Sequence, residues 1–97
     1  MSHHRHGALI RTIFHDPVSG NIHWREVESL LHHLGAEIEP LSGNRIRFRI
    51  KQVEAVLHRP HQGAALDRNA VRSLRGYLAS AGVTPSLYEQ RGDSDSQ

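Results

Sequence analysis

Two histidines separated by an arginine and a proline form the part of this sequence best suited to catalysis. His58 and His61 flank Arg59 and Pro60 in the tetrapeptide HRPH. Histidine exchanges protons near neutral pH, and the arginine fork matches phosphate oxygens. The tetrapeptide therefore provides a candidate general acid–base pair for phosphodiester chemistry, with Arg59 stabilising the phosphorane. The alternative interpretation is that His58 is an ordinary strand-end residue and His61 an ordinary loop residue.

The same tetrapeptide is a poor candidate for a metal site. His58 and His61 provide only two ligands, and no nearby carboxylate completes the four-ligand set that zinc requires. Cysteine is absent from the 97 residues, which excludes disulfides and thiolate ligands. The adjacent His32 and His33 would point about 100° apart on a helix, so they could not act on one atom. We therefore expect no metal ion and no cofactor.

Charge is unevenly distributed along the chain and defines a candidate anion-binding region. The formal net charge is +2, but residues 44–80 carry eight basic and two acidic residues, whereas residues 21–43 have a net charge of −3. This asymmetry indicates either a polyanionic partner or charge pairing between the two regions. Eleven of the twelve basic residues are arginine, which suits phosphate recognition but is also typical of a GC-rich genome.

A strand with one arginine face is predicted within the basic region. Residues 42–50 read SGNRIRFRI, so that three arginines alternate with three apolar residues after a turn sequence. The arginines would contact phosphates or an acidic protein, or they would pair with glutamates on neighbouring strands. The arginines are Arg45, Arg47 and Arg49, and the candidate glutamates are Glu37, Glu39 and Glu54.

Two amphipathic helices are predicted to flank the strands. Over residues 22–35 the apolar side chains recur at spacings of three, four and seven, as on one helix face. Asn21 or His23 would cap the start of this helix, and Gly35 would end it in a left-handed conformation. Asp67 is the predicted N-cap of the second helix, whose outer face would carry arginines at spacings of three and four. These are Arg68, Arg72 and Arg75.

Three short strands are predicted between the helices, and a last short helix after them. The strands cover residues 36–41, 45–50 and 53–59, joined by the turn Ser42-Gly43-Asn44 and by Lys51-Gln52. Their lengths and short connections favour an antiparallel meander. Gly82 would end the second long helix, and Thr84-Pro85 would begin the last one, running to about Gln90.

The chain is long enough for one domain, with polar segments at both ends. We predict a flexible N-terminal segment over residues 1–20, disordered over 1–8, in which residues 9–14 form a short edge strand or an anchor against the core. The domain would cover residues 21–90, followed by a disordered polar tail over 91–97. No apolar run is long enough for a membrane span and no signal peptide is evident, so we expect a cytoplasmic protein.

The order of elements predicts an α+β fold, a two-layer αβββα sandwich. Each helix has a single apolar stripe, so both must pack on the same face of the three-stranded antiparallel sheet. The other sheet face would be open to solvent. This layout is that of the double-stranded-RNA-binding domain (dsRBD). In such folds the start of the second helix contacts the RNA backbone, which favours Arg68 and Arg72 as RNA contacts.

Four stretches in order resemble the HicA toxin family of bacterial toxin–antitoxin systems. They lie within roughly residues 23–88 and read LLHHLGAEIEP, SGNRIRFRI, VLHRPHQG and AVRSLRGYLASAGVTPSLY. They resemble the family's first helix and opening strand, its hairpin, its third strand with the following loop, and its closing helices. The resemblance implies a dsRBD-like fold, cleavage of mRNA that inhibits translation, and neutralisation by a HicB-type antitoxin.

One departure from the family pattern affects the predicted chemistry. The family's catalytic histidine follows the Gly-Ser of the hairpin, where this chain has Asn44 and Arg45 after Gly43. Asparagine cannot transfer protons, and arginine is a poor base. If the protein is a metal-independent endoribonuclease, we expect His58 and His61 to act as acid and base.

The predicted RNA contacts extend beyond the catalytic tetrapeptide. They are Arg68, Arg72, Arg75, Asn44 and Arg45, whereas the remaining strand arginines suit an acidic partner protein. The alternative function, favoured by the missing hairpin histidine, is a non-catalytic RNA-binding module or an antitoxin-type protein-interaction module of the same fold.

Overall fold

The computed structural model describes residues 2–60 and 64–89, with side chains from residue 5 onward. Its elements in chain order are three helices and three strands, followed by a helical turn over residues 85–89. They are α1 (Ser2–Ile13), α2 (Trp24–His33), β1 (Glu37–Leu41), β2 (Arg45–Ile50), β3 (Val53–His58) and α3 (Arg68–Ser80). None of the described helices is long and apolar enough to cross a membrane.

The three strands form an antiparallel sheet in the order β1-β2-β3. Gly43 and Asn44 make the first turn with φ values of +74° and +60°, a left-handed conformation that glycine and asparagine tolerate better than most residues. Lys51, with φ +57°, begins the second turn. Ile46 and Phe48 of β2 are buried, so the apolar side of the predicted alternation faces the helices. The predicted α+β fold with a three-stranded antiparallel sheet is confirmed.

The helices α2 and α3 contribute to the core through single apolar stripes, as their spacing predicts. Glu26 Oε1 accepts a hydrogen bond from the backbone N–H of His23 at 3.1 Å, so His23 and not Asn21 is the N-cap of α2. Asp67 caps α3 by accepting from Ala70 N at 2.7 Å. The buried residues of the two stripes are Trp24, Val27, Leu30 and Leu31 on α2, and Val71, Leu74, Tyr77 and Leu78 on α3.

The N-terminal segment is a helix, so the predicted disorder over residues 1–8 and the predicted strand over 9–14 are wrong. Ile10 and Ile13 are fully buried and Leu9 is 8% exposed. Their spacing of one, three and four residues places them on one side of a helix, and this periodicity outweighs the β-branched character of the stretch. The alternative of an anchor against the core describes the segment correctly, because α1 packs against α2 and α3.

Arg75 attaches the C-terminal end of α1 to α3. Its guanidinium donates to the carbonyl oxygens of Ile13 at 3.1 Å and His15 at 2.9 Å, and forms an ion pair with Asp16 at 3.1 Å. The last carbonyl groups of a helix have no partner within the helix. Arg75 therefore supplies a hydrogen bond at a helix end that also carries a partial negative charge.

The N-terminal half of α1 contacts α2 and the helical turn over residues 85–89. His6 Nε2 lies 3.1 Å from Ser29 Oγ, and the rings of His6 and His33 stack with centroids 4.3 Å apart. Tyr88 OH lies 2.9 Å from Nε2 of His33. Arg11 pairs with Glu89 at 2.7 Å. The predicted tail over residues 91–97 lies outside the described residues.

Candidate nucleic-acid interface

Three rows of side chains cross the solvent-exposed face of the sheet, as the strand register shows. The rows are Glu37–Arg49–Glu54, Glu39–Arg47–Val56 and Leu41–Arg45–His58. In the first two rows the arginines are neutralised, because Arg49 pairs with Glu37 and Arg47 pairs with Glu39. Hydrogen bonding to Glu39 raises the pKa of the Arg47 guanidinium above its usual value. Cross-strand pairing therefore accounts for these two arginines.

The third row is the basic one. Arg45 donates through Nε to the carbonyl oxygen of Ser42 at 3.1 Å, and no carboxylate among residues 2–60 and 64–89 pairs with its guanidinium. His58 lies directly opposite Arg45 in the β2–β3 register, and both residues are exposed. The positive charge of the sheet face is thus concentrated at this end, where β2 begins and β3 ends.

Four of the predicted site residues meet at this end of the sheet. The carbonyl oxygen of Asn44 accepts from Arg59 N at 2.7 Å, which continues the pairing of β2 with β3 beyond the strands themselves. Asn44, Arg45, His58 and Arg59 therefore occupy two adjacent cross-strand positions. His61, the other half of the proposed acid–base pair, lies outside the described residues.

An open groove of 490 Å³ begins beside His58 and separates the end of β3 from the start of α3. Ligand sites commonly have volumes of about 300–1,000 Å³, so the groove is large enough for part of a nucleotide chain. Its strand side includes His58, Arg59 and Pro60, and its helix side includes Asp67, Asn69 and Ser73.

The three arginines of α3 have different environments, although the sequence predicts a common outer face. Arg72 is exposed and donates to Asn69 Oδ1 at 3.0 Å, which holds it near the wall of the groove. Arg68 points toward the loop before α2, where Nη2 lies 3.7 Å from the position of a Cβ on Gly20. The Arg75 side chain is only 23% exposed because it binds the end of α1. Arg68 and Arg72 are exposed to solvent, whereas Arg75 has a structural role.

Two exposed arginines lie outside the predicted site. They are Arg5 on α1 and Arg25 on α2, and both line a cleft between these two helices. Arg5 was not predicted as a site residue because residues 1–8 were predicted to be disordered, and Arg25 was assigned to the acidic region. The periodicity of Leu9, Ile10 and Ile13 was the available signal, since it predicts the helix that carries Arg5.

Titratable groups within the described part of the chain form no metal site. No three histidine, aspartate or glutamate side chains there are close enough together to hold an ion. A histidine such as His58 can transfer protons, and arginines can bind anions. Both functions suit a phosphodiester substrate.

The fold is consistent with the dsRBD-like αβββα arrangement, because the apolar stripes of α2 and α3 form one core with the apolar side of the sheet. A family model for the HicA toxin of bacterial toxin–antitoxin systems matches residues 24–83, more than half of the chain. The protein therefore belongs to the HicA toxin family. No curated protein and no solved structure gives a significant match.

Proposed function

We propose that this HicA-family toxin binds mRNA at the groove between β3 and α3 and cleaves it, which inhibits translation in the bacterial cytoplasm. The observation that supports the proposal is that His58 and Arg59 line one end of the groove, and that Arg45 and Asn44 lie opposite them on the neighbouring strand. The other sheet arginines are neutralised by glutamates. A HicB-like antitoxin is the proposed protein partner that holds the toxin inactive.

The proposed reaction needs a base, an acid and a group that stabilises negative charge. His58 accepts the proton of a ribose 2′-OH, and the 2′ oxygen attacks the neighbouring phosphorus. The bond from phosphorus to the 5′ oxygen breaks, and His61 donates a proton to this leaving oxygen. The products are a 2′,3′-cyclic phosphate and a free 5′-hydroxyl. Arg59 stabilises the charge that develops on the phosphorane.

The RNA backbone is held by the residues around these histidines. Arg45 lies opposite His58, and Arg72 and Arg68 extend the positive charge along α3. Asn44 provides an amide that can bind a phosphate or a base but cannot transfer a proton. The role of His61 is proposed from its sequence spacing to His58 alone.

A second candidate function is RNA binding without cleavage. Asn44 supports it, because this residue occupies the hairpin position at which the family resemblance places the catalytic histidine. A protein-interaction module has less support, because Arg47 and Arg49, the arginines suited to an acidic partner, are already paired within the sheet.

Cleavage of RNA by the purified protein in the presence of a metal chelator tests the proposal. We expect cleavage products with cyclic phosphate ends, and a loss of about 10²–10⁴-fold in rate for His58→Ala and for His61→Ala. His32→Ala is the matched control, because His32 is an exposed histidine on α2 away from the groove.

Growth arrest on expression of the same variants gives a second readout. Cleavage that survives both substitutions would show that this acid–base pair is wrongly assigned. RNA binding without any cleavage by the wild-type protein would support the second candidate function. Circular dichroism should show that every variant remains folded.

A further inference from the structure

We propose that the cleft between α1 and α2 is a second RNA site, which binds the phosphate backbone of the strand that enters the groove. This inference rests on the proposed RNA binding. The cleft has a volume of 780 Å³ and extends the RNA surface onto a helix outside the family-matched residues 24–83. Its polar lining residues include Arg5, Arg25, Ser19, Asn21 and Ser29.

The two arginines of the cleft have no ion-pair partner among the residues that the structure describes. Arg5 and Arg25 are both exposed. Arg47 and Arg49, by contrast, are paired on the sheet. Glu26 is the one carboxylate among the described lining residues, and its Oε1 accepts from the backbone N–H of His23. An anion in the cleft would therefore meet two available guanidinium groups.

The neutral groups of the cleft suit a sugar–phosphate backbone. Asn21 and Ser29 line it beside the arginines, and amides and hydroxyls commonly contact phosphate and sugar oxygens. The N-terminal turn of the ten-residue α2 lies at the same place, and its dipole favours negative charge there. The cleft thus combines two guanidinium groups with neutral hydrogen-bonding groups.

The cleft and the groove are adjacent because their walls are joined by backbone contacts. Leu66 N donates to the carbonyl oxygen of Ile22 at 2.7 Å, and His23 forms an isolated β-bridge with Ala65. Ile22 lines the cleft, whereas Ala65 and Leu66 line the groove. Arg68 reaches Gly20 beside this junction. A single RNA strand can therefore follow one basic path from His58 past Arg68 to Arg25 and Arg5.

An acidic peptide would also be attracted by the two arginines, but the geometry favours RNA. The cleft continues the groove that contains the proposed reacting residues, and a polynucleotide presents a phosphate at every step along such a path. A peptide ligand would need its carboxylates only at the cleft. Continuity with the groove is thus the feature that selects RNA as the ligand.

The salt dependence of RNA affinity tests the inference in the full-length protein. Each arginine that neutralises a phosphate of single-stranded RNA contributes about 0.7 to the slope of log affinity against log salt concentration. We expect the double variant Arg5→Gln/Arg25→Gln to lower this slope by about 1.4, and Arg5→Lys/Arg25→Lys to retain it. Arg11→Gln is the control, because Arg11 is on the same helix but pairs with Glu89.

The outcomes distinguish failure of this inference from failure of the proposed function. If the wild type binds RNA and the double glutamine variant keeps its slope, the cleft is not an RNA site and the groove proposal stands. If the wild type binds no RNA, both proposals are wrong. Loss of antitoxin binding with an unchanged RNA slope would assign the cleft to a protein and overturn the inference. Thermal unfolding should be unchanged in these variants, since both arginines are exposed.

Discussion

Arg45 and His58 occupy opposite positions on β2 and β3 and share the solvent-exposed face of the sheet. The neighbouring pair, Asn44 and Arg59, is joined by a backbone hydrogen bond. Because hydrogen-bonded and non-hydrogen-bonded pairs alternate in an antiparallel ladder, Arg45 and His58 form a non-hydrogen-bonded pair, with Cα atoms about 4.5 Å apart. Such pairs bring side chains closest together, so one phosphate can contact both residues.

Replacement of Arg45 should weaken RNA binding more than replacement of Arg49. Arg45 has no ion-pair partner among the described residues, whereas Arg49 is paired with Glu37. We expect Arg45→Gln to lower the salt slope of RNA binding by about 0.7 and Arg49→Gln to leave it unchanged. Both variants should stay within about 1 kcal/mol of wild-type stability, because exposed ion pairs contribute little. Equal slopes for the two variants would exclude Arg45 as an RNA contact.

Introduction of a histidine at the hairpin should restore part of the activity that His58→Ala removes. Asn44 has a φ of +60°, a conformation that histidine adopts more readily than most residues. Asn44 lies one cross-strand position from His58, so a histidine introduced there could accept the same proton. We expect the double variant Asn44→His/His58→Ala to cleave RNA faster than His58→Ala, with Asn44→Gln/His58→Ala as the control. No difference between these two double variants would contradict the expectation.

Tyr77 should make the fold sensitive to alkaline pH. Its hydroxyl donates to the carbonyl oxygen of Val53 at 2.9 Å, and burial raises the pKa of the phenol above its ordinary value of 10.0. A raised pKa in the folded state means that the unfolded chain ionises first, so the contribution of Tyr77 is complete below pH 10.0 and falls above it.

Urea unfolding of Tyr77→Phe measures both effects of this residue. The variant should lose about 1 kcal/mol near neutral pH because the hydrogen bond is absent. Its stability should then fall less steeply than that of the wild type as the pH rises above the ordinary pKa of a tyrosine phenol. If the free energy of unfolding falls equally with pH in the two proteins, the pKa of the Tyr77 phenol does not change on folding.

Arg75 and Arg72 should have opposite effects on stability and RNA binding. Arg75→Gln removes the hydrogen bonds to the end of α1, and we expect a loss of about 2 kcal/mol in the free energy of unfolding. Arg72→Gln should lower the RNA salt slope by about 0.7 with little change in stability. Hydrogen exchange should show faster exchange in α1 for Arg75→Gln alone. A lower RNA slope in a folded Arg75→Gln protein would show that this residue contacts RNA after all.

Local sequence patterns predicted α2, the three strands and α3, because each has its own periodicity and termination signals. Asp67 and Gly35 are examples: a side-chain cap and a left-handed terminator act within a few residues. Helix α1 was not predicted, because its β-branched residues are typical of a strand. Its helical state depends on packing against α2 and α3.

The candidate site was predictable to the extent that it depends on the hairpin. Alternation predicted a strand with Arg45, Arg47 and Arg49 on one face, and the register places His58 opposite Arg45. The environment of Arg75 was not predictable, because its backbone carbonyl partners are 62 and 60 residues away in the sequence. The cleft at Arg5 and Arg25 was missed for the same reason, since it exists only once α1 has packed.

The contact between α1 and residues 85–89 has a consequence for synthesis of the protein on the ribosome. Arg11 and Glu89 are separated by 78 positions in the sequence, and Gly7 packs close to the ring of Tyr88. Contacts over such separations form late, because a long loop must close before they stabilise the structure. A nascent chain that already contains the complete HicA-matched segment still lacks the helical turn over residues 85–89 that contacts α1. The toxin therefore reaches its final packing only when translation has passed residue 89.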